Sequence, residues 1–386
     1  MPDKNIGNAT GILVSELAAK NTDFIGSMRK IQAEHGVGLY AQAFEMLRLA
    51  VGKNKIHPTD YFDYGIYRPT LSADEKKAIL SNRAITVMNS RLSPECLSNH
   101  ANLIDDKLLS GQLLGACGFP TTKNKAVFSP HRKFNFIQTL STTDEIKDYI
   151  TDAKNLPLFG KPILGSRSLG VASIISCSDD KSEVTFGDGQ QVSADALARD
   201  IATKYDNGYL FQSLVVQPPK IEKIVGTAAA TFRIVTIQSE NGPIVLYGVW
   251  KQPQKGAMAD RGANSYYTVA LIDIETGTVV RNQWGYCIDG EARDESFSTG
   301  ARIIDYQIPH WQEIMQMTVS AHELFADHGI LGWDIFITTD GPVINEVNKN
   351  PLHTLYQRAA GRGIMNADFV PLIENARREV ERRING

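Results

Sequence analysis

Cysteine is scarce in this sequence, and its spacing argues against the two structures that cysteines most often build. The chain has 386 residues and four cysteines, Cys96, Cys117, Cys177 and Cys287, and no two of them form a Cys-x-x-Cys pair. Neither a zinc site made by closely spaced cysteines nor a disulfide framework is therefore indicated. We interpret the four cysteines as reduced residues that contribute to packing.

Long apolar runs and an excess of one charge are also absent. No window approaches the roughly eighteen apolar residues of a membrane span, and the opening MPDKNIGNATGILVSELAAK lacks a basic segment followed by a continuous apolar run. The net charge of −3 and the pI near 6.3 give no electrostatic footprint for nucleic acid. We therefore expect a cytoplasmic protein without nucleic-acid or membrane partners. The sequence is compatible with an oligomer.

What the sequence does contain is an ordinary globular composition, with 42% hydrophobic and 22% charged residues. Apolar residues at helical spacing over 41–51 and a capping-box pattern at Ser72 to Glu75 predict helices in the first hundred residues. Strand and helix signals alternate from Asp105 to Tyr205, and a strand-rich stretch follows. Between the early helices, the segment 57–67 (HPTDYFDYGIY) is unusually aromatic. It either packs between lobes, which is the favoured interpretation, or faces a substrate.

The most informative segment is 331–352, LGWDIFITTDGPVINEVNKNPL. It reads as two strands joined by a turn, and side chains on a strand alternate between faces, so Ile344, Glu346 and Asn348 should share one face. Asn348 then lies beside the carboxylate of Glu346. The alternative is that both are ordinary polar residues of a half-solvated strand.

The length of the turn decides whether Asp334 joins this cluster. A two-residue turn at Asp340-Gly341 would leave Asp334 on the far face, whereas a three-residue loop Thr339-Asp340-Gly341 pairs Asp334 with Glu346. We predict the three-residue loop. The resulting Asp334, Glu346 and Asn348 oxygens are hard ligands of the kind that Mg²⁺ prefers when phosphates complete its shell.

Three further segments carry weaker signals. Lys161 at a strand end, followed by the Gly/Ser loop 165–170, lets a charge and backbone N–H groups converge on a polyphosphate, although a plain turn is the alternative. The apolar strand 209–216 is either a core strand or a wall for adenine with Gln212 as a polar contact. Arg233 lies in an apolar strand and should meet an anion, either a phosphate or carboxylate ligand or a structural Asp or Glu.

In their order and spacing these segments resemble the ATP-grasp superfamily, most closely the branch described as sugar-transfer-associated or alpha-L-glutamate-ligase-related. The resemblance spans roughly residues 105–351, and NEVNKNP is its most specific motif. It implies an α+β fold in which two α+β lobes clamp ATP, with a helical N-terminal region over residues 1–100. The ATP-grasp domain would cover 101–386, with a lid subdomain at about 126–208 and a metal and phosphate subdomain at about 209–386.

The resemblance also implies roles for single residues. Nucleotide contacts would come from two lysines, the lid loop, the hinge strand and an asparagine after the long central loop, namely Lys107, Lys161, Ser166, Arg167, Ser168, Gln212, Ser213, Leu214, Val215 and Asn264. Lys161 and Arg233 would be catalytic, and magnesium would be held by Asp334, Glu346 and Asn348. The sequence departs from the family at Gln212, where many members have an acidic residue, and leaves Gln217 and Glu222 as candidates for a ribose contact.

The activity implied by the resemblance is that of an ATP-dependent, ADP-forming carboxylate–amine ligase. ATP and Mg²⁺ would be required, and the partners would be a small-molecule carboxylate and an amine, such as an amino acid or a peptide. Two alternatives use the same cleft. One is a phosphotransferase acting on a small-molecule hydroxyl, and the other is a nucleotide-binding accessory protein of glycan assembly.

Overall fold

The structure is a computed structural model that describes residues 12–13, 23–52, 54–165, 168–258 and 268–385. Its N-terminal region is helical, as predicted. The helices are α1 (Phe24–His35), α2 (Leu39–Val51), α3 (Pro58–Asp63), α4 (Ala73–Ala78), α5 (Asn82–Leu92), α6 (Ala101–Asp105) and α7 (Lys107–Ala116). The predicted capping box begins α4, because the Ser72 hydroxyl accepts from the backbone N–H of Glu75 and the Glu75 carboxylate accepts from that of Ser72.

A first mixed sheet follows the N-terminal helices. Its strands are β1 (Asn124–Phe128), β2 (Gln138–Leu140), β3 (Leu158–Pro162), β4 (Ala172–Cys177), β5 (Glu183–Phe186), β6 (Gln191–Ser193) and β7 (Tyr209–Ser213), in the order β2-β1-β7-β3-β4-β5-β6. Helices α8 (Thr143–Ile150) and α9 (Ala194–Lys204) bury Ile146 and Leu197 in the same apolar cluster as Phe211 of β7. β7, which the predicted division assigns to the C-terminal subdomain, thus belongs to this sheet.

A second, antiparallel sheet forms the C-terminal half. Its strands are β8 (Thr231–Ser239), β9 (Gly242–Gln252), β10 (Thr268–Ile272), β11 (Val279–Trp284), β12 (Glu291–Ala292), β13 (Ile330–Thr338) and β14 (Gly341–Asn348), in the order β12-β11-β10-β9-β8-β13-β14. The remaining helices are α10 (Pro219–Val225), α11 (Trp311–Glu323), α12 (Thr354–Ala360) and α13 (Val370–Asn385). Apolar clusters join this sheet to α11 on one side and to α12 and α13 on the other.

The β13–β14 hairpin confirms the predicted pairing of Asp334 with Glu346 and corrects the predicted turn. Thr338 pairs with Gly341, so the turn contains the two residues Thr339 and Asp340 and is not the three-residue loop. A β-bulge, at which the register shifts between Asp334 and Ile335, restores the pairing of Asp334 with Glu346.

The same bulge corrects the predicted faces of β14. Because it inserts one extra residue, Ile344 and Glu346 do not share a face. Ile344 is 1% exposed and lies in the core, whereas Asn345 and Glu346 both line the cleft between the sheets. The bulge therefore delivers two neighbouring polar side chains to the cleft where a regular strand would deliver one.

The helices that the structure describes include none with the length and apolar composition of a membrane span.

Candidate functional site

A cavity of about 1170 Å³ lies between the two sheets, and the N-terminal helices close one end of it. The residues lining it include Lys161 of the first sheet, Arg233, Asp334 and Glu346 of the second, and Asp60 of α3. It is therefore the place where the charged residues selected from the sequence meet.

The second sheet builds a buried charge network on three adjacent strands. Arg233 of β8 pairs with Asp334 of β13 on one side and with Val249 of β9 on the other. Lys251 lies two residues beyond Val249 along β9, so its side chain lies on the same face of the sheet as that of Arg233. Asp334 accepts hydrogen bonds from Nε and Nη2 of Arg233, the second at 2.9 Å, and from Nζ of Lys251 at 3.2 Å. The anion that meets Arg233 in this structure is thus a protein carboxylate.

The electrostatics of the network follow from this geometry. Burial alone would raise the pKa of Asp334, but the two neighbouring cations outweigh burial and hold that pKa well below its usual value. Burial likewise tends to lower the pKa of Arg233, and the attraction of Asp334 reverses the effect and raises it. Asp334 is therefore ionised, with two cations to balance it.

The two predicted phosphate lysines enter the cleft from different elements. Lys161 of β3 is 4% exposed, and its Nζ donates to Oδ1 of Asn345 at 2.8 Å. Burial lowers the pKa of Lys161 to about 8, while the nearby Glu346 raises it and Lys107 lowers it further. Lys107 is set in place by Asp106, whose Oδ1 accepts from the N–H groups of the first turn of α7. Its Nζ donates to the carbonyl of Gly165 at 2.6 Å.

The predicted magnesium ligands lie together at the edge of the second sheet. Glu346 faces Asp334 across the hairpin, and Asn348 Nδ2 lies 3.5 Å from Oε1 of Glu346. Lys107 also approaches Glu346, with its Nζ 3.9 Å from Oε2 of that carboxylate. Among the described residues no group of three or more His, Cys, Asp or Glu side chains is arranged to hold a metal ion. The candidate set is instead two carboxylates and one amide.

Four residues of the predicted hinge, Gln212, Ser213, Leu214 and Val215, line the cleft. Gln212 is buried, and its Nε2 donates to Oγ1 of Thr122 at 2.8 Å and to Oδ1 of Asn124 at 2.7 Å. Both of its N–H donors are thus used within the first lobe, which leaves the hinge backbone and the apolar side chains to face the cleft.

The two ribose candidates do not line this cleft. The side-chain amide of Gln217 bonds the backbone of Gly226, Ala228 and Ala230, so it holds a loop in place. In the lid loop, Ser168 lines the cleft in a left-handed backbone conformation with φ of 53°. Ser166, Arg167 and Asn264 lie outside the described residues.

Several cleft residues escaped the sequence analysis. Lys251 carries the same signal as Arg233, a cation in an apolar strand, and could have been found by it. Asn345 reaches the cleft only because of the bulge. Asp63 also lines the cavity and belongs to the segment 57–67 that the sequence analysis singled out. Tyr286 and Arg358 line it as well, and nothing local in the sequence distinguishes them. His353, in contrast, is a buried structural residue, since its ring nitrogens lie 2.9 Å from the hydroxyl of Tyr247 and 2.9 Å from Oδ1 of Asn89.

Comparison with known proteins gives one family and several distant structures. The family described as sugar-transfer associated ATP-grasp matches residues 88–370. Comparison with curated proteins gives no match.

Among solved structures, the D-alanine–D-alanine ligase from Coxiella burnetii has a TM-score of 0.39 and 12% identity, over 73% of this chain and 59% of that one. The corresponding ligase from Bacillus anthracis has a TM-score of 0.40 and 15% identity, over 74% and 72%. The VanG D-Ala:D-Ser ligase from Enterococcus faecalis has a TM-score of 0.39 and 14% identity, over 71% and 61%. The chain thus spans about three fifths of the first of these structures.

Proposed function

Because the chain belongs to the sugar-transfer associated ATP-grasp family, we propose that it is an ATP-dependent, ADP-forming carboxylate–amine ligase. In this reaction a substrate carboxylate attacks the γ-phosphate of ATP to give an acyl phosphate and ADP, and an amine then displaces phosphate. The observation that carries the proposal is the meeting of Lys107, Lys161, Arg233, Asp334 and Glu346 in one cleft.

Lys107 and Lys161 are proposed to hold the nucleotide phosphates. Lys107 begins a helix and Lys161 ends a strand of the first sheet, so their charges approach the cleft from fixed elements. Cations that are already fixed in position stabilise the negative charge of the phosphoryl group during its transfer and do not have to rearrange first. This stabilisation is the main source of catalysis in phosphoryl transfer. No nucleophilic side chain is needed.

Arg233 is proposed to contact the transferred phosphate or the substrate carboxylate. Its guanidinium has five N–H donors, and its contacts with Asp334 use Nε and Nη2. Nη1 thus remains for an anion in the cleft. The ion pair with Asp334 orients the arginine and still leaves this nitrogen to donate to a ligand. Arg233 is therefore proposed both as a structural partner of Asp334 and as a catalytic residue.

The donor set at the hairpin fits magnesium. Asp334 and Glu346 lie opposite each other on paired strands, with the Asn348 amide beside Glu346, and such an oxygen set favours a hard cation. Bound Mg²⁺ would neutralise charge on phosphate oxygens. Because Arg233 and Lys251 share the carboxylate of Asp334, Glu346 is the ligand we expect to matter most, with Asn348 in support.

The hinge is proposed to hold the adenine ring. Leu214 and Val215 provide apolar walls next to the end of β7, and the backbone there follows directly on a buried strand. Since the amide of Gln212 bonds Thr122 and Asn124, we propose that it fixes the shape of the hinge rather than contacting the base.

The test is ADP release by the purified full-length protein with Mg²⁺ and ATP, screened over carboxylic acids with and without amines, with product masses read out. A product that equals acid plus amine minus water supports the ligase. A product that gains a phosphoryl group would instead identify a phosphotransferase, and ATP binding without ADP release would identify an accessory protein.

A variant pair makes the test specific to the hairpin. Glu346→Ala should lower the rate by on the order of a hundredfold, by analogy with the loss of one preorganised electrostatic group. Glu313→Ala serves as the matched control, because Glu313 is an exposed glutamate on α11. Full activity of a folded Glu346→Ala protein would contradict the assignment of Glu346 as a magnesium ligand.

A further inference from the structure

Helix α2 carries an apolar surface that lies outside the cleft. Four large apolar side chains on this helix are exposed over 94%, 71%, 64% and 70% of their surface, namely Tyr40, Phe44, Leu47 and Val51. We call these four residues the α2 stripe, and none of them lines the cleft. Single exposed apolar side chains are ordinary on a protein surface, whereas a contiguous group of this size marks a binding surface.

The spacing of the four residues places them on one side of the helix. They follow one another at intervals of four, three and four residues, so they fall within an arc of about 60° at 3.6 residues per turn. Gln42 and Leu49 lie on the opposite side, and both are buried. The side-chain amide of Gln42 donates to the carbonyls of Met28 at 2.9 Å and Val37 at 2.7 Å. One face of α2 therefore packs on its own chain, and the opposite face presents apolar side chains to the surface.

The buried face holds α2 firmly against the aromatic segment 57–67. The Tyr61 hydroxyl donates to Oε2 of Glu45 at 2.9 Å. Tyr61 and Phe62 are fully buried and belong to the same apolar cluster as Leu49. Because the helix is already fixed from behind, a partner that packs on the stripe does not have to order it first.

The stripe has the spacing of a coiled-coil seam. Phe44 and Val51 occupy a positions of a heptad, and Tyr40 and Leu47 occupy d positions. Antiparallel packing of two α2 helices about a twofold axis places Phe44 against Leu47 of the partner subunit and Tyr40 against Val51 of the partner subunit. Each layer then joins an aromatic to an aliphatic side chain, which fills the seam evenly. Parallel packing would instead stack each residue on its own copy and give layers of unequal size.

The residues that flank the stripe also suit a second copy of the chain. Three of the four e and g positions are Ala41, Ala43 and Ala50, and the fourth is Arg48. In the antiparallel arrangement Ala43 faces Ala50 of the partner subunit and Arg48 faces Ala41 of the partner subunit, so like charges do not meet. Glu45 and Arg48 are the only charged residues of α2, whereas helices that bind anionic lipid surfaces are rich in Lys and Arg.

The exposed area of the stripe is sufficient for a dimer. At about 200 Å² for a fully exposed aromatic and about 120 Å² for a fully exposed aliphatic side chain, the stripe contributes roughly 500 Å² per copy and roughly 1,000 Å² per pair. A specific interface needs about 1,000 Å² in total. Two α2 helices reach this value before the flanking residues are counted.

We propose that the chain forms a symmetric dimer in which the α2 stripes of two copies pack antiparallel. Each copy offers the same surface to the other, as a twofold interface requires. The proposal does not depend on the proposed function, because the stripe lies outside the cleft.

The experiment is sedimentation velocity of the full-length protein, whose single chain has a mass of 42.5 kDa. At a concentration of about 50 µM we expect a species of twice that mass. Phe44→Glu should weaken the dimer by at least about a hundredfold, because the new carboxylate would be buried against Leu47 of the partner subunit. A monomeric wild-type protein, or a dimer that Phe44→Glu leaves intact, would overturn the proposal.

Ile384→Glu is the matched control. Ile384 is an apolar residue of α13 that is 51% exposed and lies outside the stripe. This variant places the same charge on an exposed helix surface and should sediment as the wild-type dimer. Loss of the dimer in Ile384→Glu would mean that added negative charge separates the subunits wherever it lies, which would overturn the assignment to α2.

A pair of complementary variants tests the arrangement of the helices and does not depend on how one variant folds. Phe44→Lys and Leu47→Glu should each be monomeric alone, whereas their equimolar mixture should form a heterodimer. In that heterodimer the new ammonium faces the new carboxylate, and the other central layer keeps its native residues. Parallel helices would place the two charges in different layers, so a mixture that stays monomeric would overturn the antiparallel arrangement.

The same variants distinguish a dimer from binding to a membrane. Cosedimentation with vesicles of phosphatidylcholine and phosphatidylserine should recover neither the wild-type protein nor Phe44→Glu. Recovery of the wild-type protein alone, together with a monomeric mass in solution, would assign the α2 stripe to a lipid surface and overturn the dimer.

Discussion

The first sheet sends one buried cation into the cleft, Lys161, whereas the second sends Arg233, Lys251, Asp334 and Glu346 from adjacent strands. Among the described residues Lys161 has no ion-pair partner, and its hydrogen bond is to Asn345 of the other sheet. Burial accordingly lowers its pKa to about 8. Asp334, with two cations beside it, has its pKa lowered although it is also buried.

This difference shows two ways of keeping buried charged side chains in the wall of the cleft. The second sheet balances its charges internally, so its network needs no ligand to be stable. The first sheet holds a cation that burial penalises, and only an anion in the cleft, such as a phosphate, would balance it fully. Substitutions that remove single charges distinguish a balanced network from a single cation that depends on a ligand.

The largest expected effect is on stability. Asp334→Asn removes the carboxylate that balances Arg233 and Lys251, and leaving buried cations without their partner should lower the free energy of unfolding by about 3–5 kcal/mol. Lys161→Met removes a cation that burial penalises and should leave that free energy unchanged or raised. Chemical denaturation of both variants measures the difference. Similar losses in the two proteins would mean that the sheets handle charge in the same way.

The next effect concerns acid and the second sheet alone. His322 lies in its core, 2.7 Å from Oγ1 of Thr236, and burial lowers its pKa to about 4 from an ordinary 6.5. Between pH 4 and pH 6.5, His322 therefore binds a proton in the unfolded chain and stays neutral in the folded one. The stabilisation is fully present above pH 6.5 and is lost as the pH falls to 4, and it amounts to on the order of 3 kcal/mol.

Tryptophan fluorescence can follow this loss, because all four tryptophans, Trp250, Trp284, Trp311 and Trp333, lie in the second half of the chain. The denaturation midpoint from fluorescence should fall between pH 6.5 and pH 4, and His322→Gln should flatten that slope. A midpoint that does not change over this range would show that His322 is not buried in its neutral form.

The sequence was sufficient for the hairpin and for the helical N-terminal region because these depend on local patterns. The pairing of Asp334 with Glu346 was predicted correctly but through a three-residue loop, whereas the structure reaches it through a two-residue turn and a β-bulge. The bulge that produces this pairing was not predictable, because an extra residue in one strand leaves the alternating pattern readable in two registers. Asn345 was missed for this reason.

Long-range partners set the limit of prediction for the rest of the site. Arg233 was expected to meet an anion, and the choice between a ligand and a protein carboxylate depended on which strand would lie beside β8, 101 residues away along the chain. Tyr64 and Arg358 line the same cavity through tertiary packing, and no periodicity in either segment carries that information. A single sequence identifies chemically unusual residues more readily than it identifies their partners.

The smallest expected effect is on nucleotide affinity. If Lys161 is balanced by phosphate, Lys161→Met should weaken ATP binding by roughly tenfold or more, the value of one hydrogen bond to a charged group, and should leave adenosine binding unchanged. Adenosine carries no phosphate, so the missing cation cannot affect it directly. Calorimetric titration of both ligands into the wild-type and variant proteins gives the two ratios.

Lys125→Met is the matched control for this titration, because Lys125 is on β1 of the same sheet and donates to the carbonyl of Asn155 rather than lining the cleft. Its affinities for ATP and adenosine should both equal those of the wild-type protein. Equal weakening of the two ligands by Lys161→Met would mean that the lysine supports the shape of the cleft through Asn345, since a change of shape acts on adenosine as much as on ATP. In that case the first sheet would resemble the second, with its buried cation already satisfied by the protein and the phosphates held by Lys107 and the second sheet.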